Sequence, residues 1–383
     1  MDLINERWQR IKEYLLRLEA RPNGIRTKAL AAGACKNGLS RRFRQDFEGI
    51  RQGYERQVGK MRRITRRDLI KTTVAGGVAA AALPGLARGR DTKPTKTRYI
   101  AAYDTESPGC LAACRRIVEL HKRLEMPATF FIVGRTLDAN PAEYRKLLDD
   151  PLFEIASHTY SHRMLRDNEF CGPAVPMDER RKEISKGKES VERVFERPCI
   201  GMRPGCGFDN AFSGEPKVLQ LVKEAGFKYV SSLLWGPDYS LPALLREPFN
   251  YQAEGFPDIW ELPGHGWHEN LLKDHNRWGP RRLTLWPPPF PEAIPKSFCK
   301  TPNDEFEVNR VFLDKALETN MPFVSLIWHP WSLAKFDPDM KMLEMTFAHV
   351  RRTGLRPSTY AGLYQSLCES GKSSRENVGR GFG

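Results

Sequence analysis

The sequence predicts an α/β fold of the (β/α) barrel type, and two observations support this prediction. From Arg98 onward, apolar runs of strand length alternate with amphipathic stretches of helix length. This alternation is typical of parallel strands connected by helices on the outside of the sheet. About 270 residues with seven or eight such strands suit a barrel. A doubly wound open sheet is the alternative, although no G-x-G-x-x-G motif follows the first strand.

The predicted elements follow one another along the chain. Strands are expected at residues 98–104, 128–133, 153–158, 200–203, 229–234, 258–262, 323–328 and 355–359. Helices are expected near residues 110–125, 141–149, 178–195, 215–225, 305–319 and 338–353. Asp178 and Glu179 follow Pro176, as acidic residues of a first helical turn should. Gly226 is typical of a helix C-cap.

One stretch departs from this alternation. Residues 236–300 are long, rich in Pro and aromatic, and they include Trp260, Trp267, Trp278 and Trp286. Such a segment in a compact domain is usually functional or disordered, and its aromatic residues favour a packed functional loop. The barrel domain is expected over residues 95–370. Residues 371–383 are polar and rich in Gly, which predicts a disordered tail.

The net charge of +14 belongs to the N-terminal part of the chain. Residues 1–97 contain 23 Lys and Arg against 9 Asp and Glu, whereas residues 98–383 contain 38 of each class. A neutral folded body lacks the basic surface that binds a phosphate backbone. We therefore expect no nucleic-acid partner.

The eight cysteines show neither zinc-ribbon spacing nor an obvious disulfide framework. Cys110 and Cys114 are four residues apart and are expected to be small buried residues. A metal or redox pair is the alternative for these two. The cysteines in general are expected to be reduced and buried, although the sequence does not decide whether any of them pair.

Residues 61–90 have the features of an export signal. The basic pair Arg66-Arg67 precedes an uncharged, Ala- and Gly-rich run from Thr72 to Ala87, which is the arrangement of a signal peptide. The pair, with apolar residues and Lys71 after it, resembles a twin-arginine signal. The expected partner is the twin-arginine export machinery, and the expected location is periplasmic or secreted. The apolar run is too short and too Gly-rich for a stable membrane span; a buried helix is the alternative.

This signal starts only after sixty residues, and Met61 stands immediately before Arg62. We expect translation to begin at Met61, so that residues 1–60 are an over-read extension. The alternative is an authentic leader, because apolar residues such as Ile4, Trp8 and Ile11 fit an amphipathic helix.

Four segments with polar side chains lie at the C-terminal ends of predicted strands, where barrel enzymes assemble their sites. The first is Asp104-Thr105-Glu106. Residues two apart in an extended chain point to the same face, so both carboxylates can project into the barrel mouth. One carboxylate can hold a metal ion while the other accepts a proton. A pair that caps a loop is the alternative.

The second and fourth segments supply imidazoles. His158 and His162 follow the third strand four residues apart, and they share one face if the chain turns helical there. Imidazole pairs are good ligands for zinc and similar divalent ions. His329 closes a buried strand beside Trp328. Because imidazole titrates near neutral pH, His329 is a general-acid candidate; a core histidine is the alternative.

The third segment follows the fourth strand. Arg203 can pair with an active-site carboxylate and keep it ionised. Gly205 and Cys206 come next, and their backbone N–H groups can bind a developing oxyanion. An ordinary Pro-Gly turn is the alternative.

Taken in order, these segments resemble the polysaccharide deacetylase family, also called the NodB-homology family, over residues 98–365. His158-Thr159-Tyr160-Ser161-His162 matches its motif H-[ST]-x-x-H, and Ile327-Trp328-His329 matches a hydrophobic residue, any residue and His. Arg203-Pro204-Gly205 matches R-x-P-[YF] only in part. Asp104-Thr105-Glu106 stands where an Asp-Asp or Asp-x-Asp pair is usual.

The resemblance implies a distorted (β/α) barrel of about seven strands with one divalent metal ion, commonly zinc. It implies that Asp104 is the catalytic base, that Arg203 steadies Asp104 and that His329 is the acid. The implied metal ligands are Glu106, His158 and His162.

Two departures from the family motifs indicate a divergent branch, namely Glu106 in place of Asp and the missing aromatic residue of the third motif. The family's fourth motif supplies an Asp and a Trp, for which Asp238 and Trp235 are the candidates. Aromatic faces stack well on sugars, so the substrate groove is expected to include Trp267 and Trp328 as well. Core tryptophans are the alternative.

The predicted function is metal-dependent hydrolysis of N-acetyl or O-acetyl groups on an extracytoplasmic carbohydrate. Two alternatives remain open. One keeps the fold and hydrolyses small cyclic amides. The other is a non-catalytic carbohydrate-binding protein on a degenerate barrel.

Overall fold

The computed structural model describes residues 95–168, 170–273, 291–293, 295 and 297–379. The predicted extension over residues 1–60 and the predicted signal over residues 61–90 lie outside these described residues. Trp278 and Trp286 of the aromatic stretch lie outside them as well.

The centre of the described chain is one curled sheet. Its strands are β1 Arg98–Thr105, β2 Ala128–Ile132, β3 Phe153–Ser157, β4 Gly201–Met202, β5 Tyr229–Val230, β6 Phe249–Tyr251, β7 Phe256–Glu261, β8 His265–His268, β9 Phe323–Trp328 and β10 Arg356–Ser358. Their order is β6-β7-β5-β4-β3-β2-β1-β9-β8, and β10 pairs with β1. The pairings are parallel except between β6 and β7. The sheet is a distorted barrel, as predicted, but in the described chain it has ten strands rather than about seven. Within the described residues no pairing joins β6 to β8, so the barrel is open, which was not predicted.

Helices connect the strands. They are α1 Cys110–Arg123, α2 Gly134–Ala139, α3 Pro141–Leu148, α4 Met177–Phe195, α5 Pro216–Glu224, α6 Glu269–Leu272, α7 Pro302–Glu318, α8 Pro330–Phe336, α9 Lys341–Thr353 and α10 Tyr360–Gly379. Short 3-10 turns occur at Pro237–Tyr239, Gln252–Glu254 and Pro291–Ala293. Helix α7 begins with a capping box in which Thr301 and Asp304 satisfy each other's backbone N–H groups.

The predicted strands and helices are all present, with boundaries shifted by a few residues. The largest shift is in β5, which ends at Val230. The prediction missed β6 and β8 because they lie in the Pro-rich aromatic stretch and have no apolar run. The prediction of one long irregular loop is therefore wrong for residues 236–273. Helix α10 reaches Gly379, so residues 371–379 also differ from the predicted disordered tail.

The concave face of the sheet contains the core that supports the site. Strand β1 is buried on both faces, and its alternate residues Ile100 and Ala102 point inward. Tyr360 and Leu363 of α10 pack into the same cluster. Because side chains alternate along a strand, Asp104 at the C-terminal end of β1 points to the same inward face.

The cysteines differ from expectation at one pair. Cys171 and Cys206 form a disulfide between residues 35 apart in sequence, which no local spacing could reveal. The expectation of reduced cysteines is wrong for this pair. Cys110 and Cys114 are free and buried, as expected.

No helix in the described part of the chain is both long enough and apolar enough to cross a membrane.

Candidate active site

The four polar segments meet at one edge of the sheet. Glu106 follows β1, His158 follows β3, Arg203 follows β4 and His329 follows β9. Because these strands are parallel, their C-terminal ends lie at the same edge. A cleft of about 540 Å³ opens there, and all of these residues except Arg203 line it.

The three predicted metal ligands come together in this cleft. One side-chain ligand atom from each of Glu106, His158 and His162 lies within 4.8 Å of the other two. Such a set of one carboxylate and two imidazoles is typical of sites for zinc and related divalent ions.

His158 provides the test of whether these residues fit a cation. Its Nδ1 donates a hydrogen bond to the carbonyl oxygen of Arg203 at 2.8 Å, since a carbonyl can only accept. Its Nε2 is buried and has no hydrogen-bond partner among the described residues. Burial lowers the pKa of His158 to about 4, so at neutral pH Nε2 presents a lone pair. An unpartnered buried acceptor costs free energy, and a metal ion at this position removes that cost.

His162 reaches the cluster through an unusual backbone. Thr159 and His162 have φ values of 60° and 65°, so the chain does not turn helical between the two histidines, contrary to the expectation. Instead the imidazole rings meet with centroids 4.9 Å apart. Glu183 of α4 fixes this loop by accepting from the backbone N–H and the hydroxyl of Ser161 at 2.8 Å and 2.5 Å.

Asp104 is held by Arg203, as predicted. The Arg203 Nη1 donates to Oδ1 of Asp104 at 2.7 Å, and both side chains are buried. Burial alone would raise the pKa of Asp104, but the guanidinium holds it below its ordinary value. Among the described residues nothing donates to Oδ2, so this oxygen remains available to accept a proton.

His329 is paired with a residue that the sequence analysis missed. Glu269, at the start of α6, accepts from Nδ1 of His329 at 2.9 Å and from its backbone N–H at 3.1 Å. Burial alone would lower the pKa of His329, but the charge of Glu269 raises it to about 10. His329 is therefore protonated at neutral pH, with Nε2 free of partners among the described residues. Glu269 itself has the buried Lys273 at 3.8 Å.

The predicted oxyanion donors form a tight loop beside the ligands. A side-chain carbon at Gly205 would lie 3.0 Å from the ring and the carbonyl oxygen of His162, so any larger residue would require His162 to shift by a few tenths of an ångström. Cys206 lines the cleft and has φ 61°. The backbone N–H groups of both residues have no acceptor among the described residues.

The predicted groove residues lie elsewhere, so this part of the prediction is wrong. None of Trp235, Asp238, Trp267 and Trp328 lines the cleft. Trp328 is buried and stacks on Tyr103 at 6.0 Å, because alternation along β9 directs it away from the site. The indole of Trp267 donates to the carbonyl oxygen of Ala293. Asp238 is exposed, and Trp235 is buried behind Cys206, to whose carbonyl oxygen it donates at 2.7 Å.

Other residues line the cleft instead. The indole of Trp331 donates to Oε1 of Glu106 at 3.1 Å. Asn270 also lines the cleft, and its Oδ1 is buried without a partner among the described residues. Trp331 lies two residues after His329, so the sequence offered a signal for it. Nothing in the sequence singled out Glu269 or Asn270.

Comparison with known proteins supports the resemblance. Residues 92–230 match the sequence model of the family described as polysaccharide deacetylase. The match confirms the predicted family for this part of the chain. No curated protein sequence matches the chain.

Several solved structures share the fold. One, described as a polysaccharide deacetylase from Mycobacterium smegmatis, has a TM-score of 0.51 at 19% identity, covering 74% of this chain and 96% of that chain. Another, similarly described and from Pseudomonas aeruginosa PAO1, has a TM-score of 0.51 at 14% identity, covering 71% and 90%. A structure of the allantoinase Puue has a TM-score of 0.50 at 13% identity, covering 71% and 91%. At these identities the likeness concerns the fold alone.

The contact of Gly205 with His162 generates a testable prediction. In Gly205→Ala the added methyl would lie 3.0 Å from the imidazole of His162. The imidazole must therefore move relative to Glu106 and His158, the other two metal ligands. Residues that orient metal ligands typically contribute ten- to a hundredfold to metal affinity, and we expect a zinc affinity about tenfold weaker. Titration against a fluorescent chelator measures it.

The matched control is Gly109→Ala at the rim of the same cleft. Its added methyl would lie 4.0 Å from the Ser107 hydroxyl, so zinc affinity should not change. Equal affinities for the two variants would show that the contact does not position His162.

Proposed function

Because residues 92–230 belong to the polysaccharide deacetylase family, we propose that this chain hydrolyses acetyl groups on an extracytoplasmic carbohydrate with the help of one divalent ion. The observation that carries the proposal is the convergence of Glu106, His158 and His162 beside an ionised carboxylate and a protonated imidazole. The family match supports a hydrolase that acts on carbon–nitrogen bonds. The choice of zinc rests on the ligand set of two imidazoles and one carboxylate.

The protonation states of Asp104 and His329 suit opposite roles. Asp104 is ionised because Arg203 lowers its pKa, and His329 is protonated because Glu269 raises its pKa. Asp104 takes a proton from the attacking water through Oδ2 as a general base. His329 gives the proton on Nε2 to the departing amine nitrogen. Water and the amide thereby yield acetate and a free amino sugar.

The remaining residues stabilise and orient the substrate. The backbone N–H of Cys206, with that of Gly205, donates to the oxygen of the tetrahedral carbon. A divalent ion held by the three ligands supplies Lewis-acid polarisation of the carbonyl when bound. The unpartnered Oδ1 of Asn270 accepts from a hydroxyl or amide N–H of the sugar, and the half-buried Trp331 offers an indole for stacking.

Two variants and a substrate panel test the proposed function. We expect the metal-loaded chain to release acetate from chitin oligomers, peptidoglycan or acetylated xylan. His158→Ala should lose the metal and nearly all activity. Asp104→Asn should keep the metal but slow turnover about a hundredfold or more, because it lacks the base. Full activity of a verified metal-free protein would end the proposal.

The same panel separates the alternatives. A small cyclic amide such as allantoin is included, since the fold is shared with an allantoinase. Turnover of the cyclic amide alone would replace the carbohydrate substrate with that class. A protein that binds the oligosaccharides without stoichiometric metal or acetate release would be a carbohydrate-binding protein.

The pairing of Glu269 with His329 predicts a shift in the pH profile. In Glu269→Gln the carboxylate that stabilises the imidazolium is absent, so the pKa of His329 falls. The general acid must be protonated, and activity is lost as pH rises through its pKa. We therefore expect the alkaline limb of kcat/KM to move to lower pH by at least one unit. One pKa unit corresponds to about 1.4 kcal/mol, which is close to the contribution of one hydrogen bond to a charged group. An unchanged alkaline limb would exclude His329 as the titrating acid.

We further propose that the chain is exported by the twin-arginine route. The Arg66-Arg67 signal supports this proposal, as does the Cys171–Cys206 disulfide, because disulfides persist in oxidising compartments. Replacing both arginines by Lys in the full chain should retain the precursor inside the cell, as fractionation and immunoblotting would show. The matched control replaces Arg62 and Arg63 by Lys and should be exported. Export of both variants alike would contradict the route.

A further inference from the structure

A covalent junction holds the loop that carries the oxyanion donors. The disulfide joins Cys206, on the lining of the cleft, to Cys171, which does not line it. Cys171 lies in a short turn closed by the backbone bridge between Asn168 and Gly172. The disulfide therefore ties the wall of the cleft to a separate segment of the chain.

Asn168 strengthens the same junction. Its side-chain oxygen accepts from the backbone N–H groups of Phe170 and Cys171 at 2.8 Å and 2.9 Å. Its side-chain nitrogen donates to the carbonyl oxygen of Gly207 at 2.8 Å. Asn168 is buried, and its bonds to Phe170 and Gly207 are buried as well. One residue thus connects the turn to the far end of the oxyanion loop.

An aromatic stack completes the junction. The rings of Phe170 and Trp235 stack with centroids 5.1 Å apart. The indole N–H of Trp235 donates to the carbonyl oxygen of Cys206 at 2.7 Å. The disulfide therefore holds the side chain of Cys206, and this hydrogen bond holds its carbonyl.

The backbone at Cys206 needs this support. Its φ of 61° is in the left-handed region, which residues other than Gly rarely adopt unless surrounding contacts impose it. The carbonyl of Gly205 accepts from the N–H of Gly207 at 2.7 Å across it, closing a γ-turn. This conformation leaves the N–H of Cys206 without an acceptor in the described part of the chain.

We infer that the Cys171–Cys206 disulfide positions the backbone N–H of Cys206 as the oxyanion donor, so that hydrolysis depends on this bond being oxidised. The inference rests on the proposed function and deepens it by assigning the disulfide a positioning role. The aromatic residue of the family's third motif is missing from this loop, and the disulfide supplies an anchor there.

Loss of the disulfide should lower kcat. Removing an oxyanion donor typically costs a hundred- to a thousandfold in kcat, and a loosened donor should cost about tenfold or more. We expect this loss in Cys171→Ala/Cys206→Ala, with KM and zinc stoichiometry unchanged. A free cysteine on α10 provides the matched control, Cys368→Ser, which should keep the wild-type kcat. A kcat of the double variant within about twofold of wild type would overturn the inference.

The single variant Cys171→Ser distinguishes a loss of positioning from binding of the metal by a free Cys206 thiolate. It leaves the Cys206 thiol in the cleft, where a thiolate can bind the metal. A loss of kcat in the single variant without a loss in the double variant would mean metal capture and would overturn the inference. Losses in both variants support positioning.

Reduction of the wild type tests the same point without any change in sequence. A phosphine transfers two electrons to the disulfide, water supplies two protons and the oxygen of the phosphine oxide, and two thiols result. We expect kcat to fall as in the double variant, and oxidised glutathione to restore it in the wild type only. Because reduction also leaves the Cys206 thiol in the cleft, the fall in kcat must match the loss in Cys206→Ala, which has no thiol there. An unchanged kcat after verified reduction would overturn the inference.

Acetate binding gives a readout that needs no turnover. We expect a carboxylate oxygen of the product acetate to accept from the same N–H as the oxyanion, so calorimetry with sodium acetate on zinc-loaded protein reports on this donor. We expect the acetate Kd to rise about tenfold without the disulfide, because the loss of one hydrogen bond to a charged group changes affinity by about this factor. Equal Kd values would overturn the inference, whereas absence of turnover by the wild type would end only the proposed function.

Discussion

The pairing of Arg203 with Asp104 inside the sheet is the interaction on which the rest of the site depends. The buried guanidinium donates to Asp104, Ser231 and Tyr360. The backbone carbonyl of the same residue accepts from His158, so Arg203 orients both the base and a metal ligand. Removing one partner of a buried ion pair leaves an unpaired charge and typically costs about 3–5 kcal/mol. The pair therefore constrains stability as well as chemistry.

The acid and the base keep opposite protonation states because each has its own partner. Arg203 lowers the pKa of Asp104, and Glu269 raises the pKa of His329. Lys273 lies near the far side of Glu269 and helps to compensate a carboxylate that is itself buried. Two separate ion pairs thus keep a carboxylate and an imidazolium ionised on the lining of the same cleft.

The sequence predicted most of the fold and the groups that carry chemistry, since strand periodicity alone directs Asp104 and Glu106 inward at the end of β1. It could not predict Glu269, because β8 before it has no apolar run to mark a strand. The left-handed backbone at His162 and the pairing of Cys171 with Cys206 depend on tertiary contacts. Local sequence patterns do not predict such contacts, so the loops around the cleft were the least predictable part of the structure.

Each departure from the family motifs has a replacement contact in the structure. Glu106 is longer than the usual Asp, and the indole of Trp331 anchors its second oxygen. The loop without the motif's aromatic residue is anchored by the disulfide at Cys206. The acidic partner of His329 is Glu269, while Asp238, the candidate for the fourth motif, is exposed. The parallel strands fix where the reacting groups meet, while loop contacts of different chemistry can hold them at that position. A chain can therefore diverge in its loops and still present the same arrangement of acid, base and metal ligands.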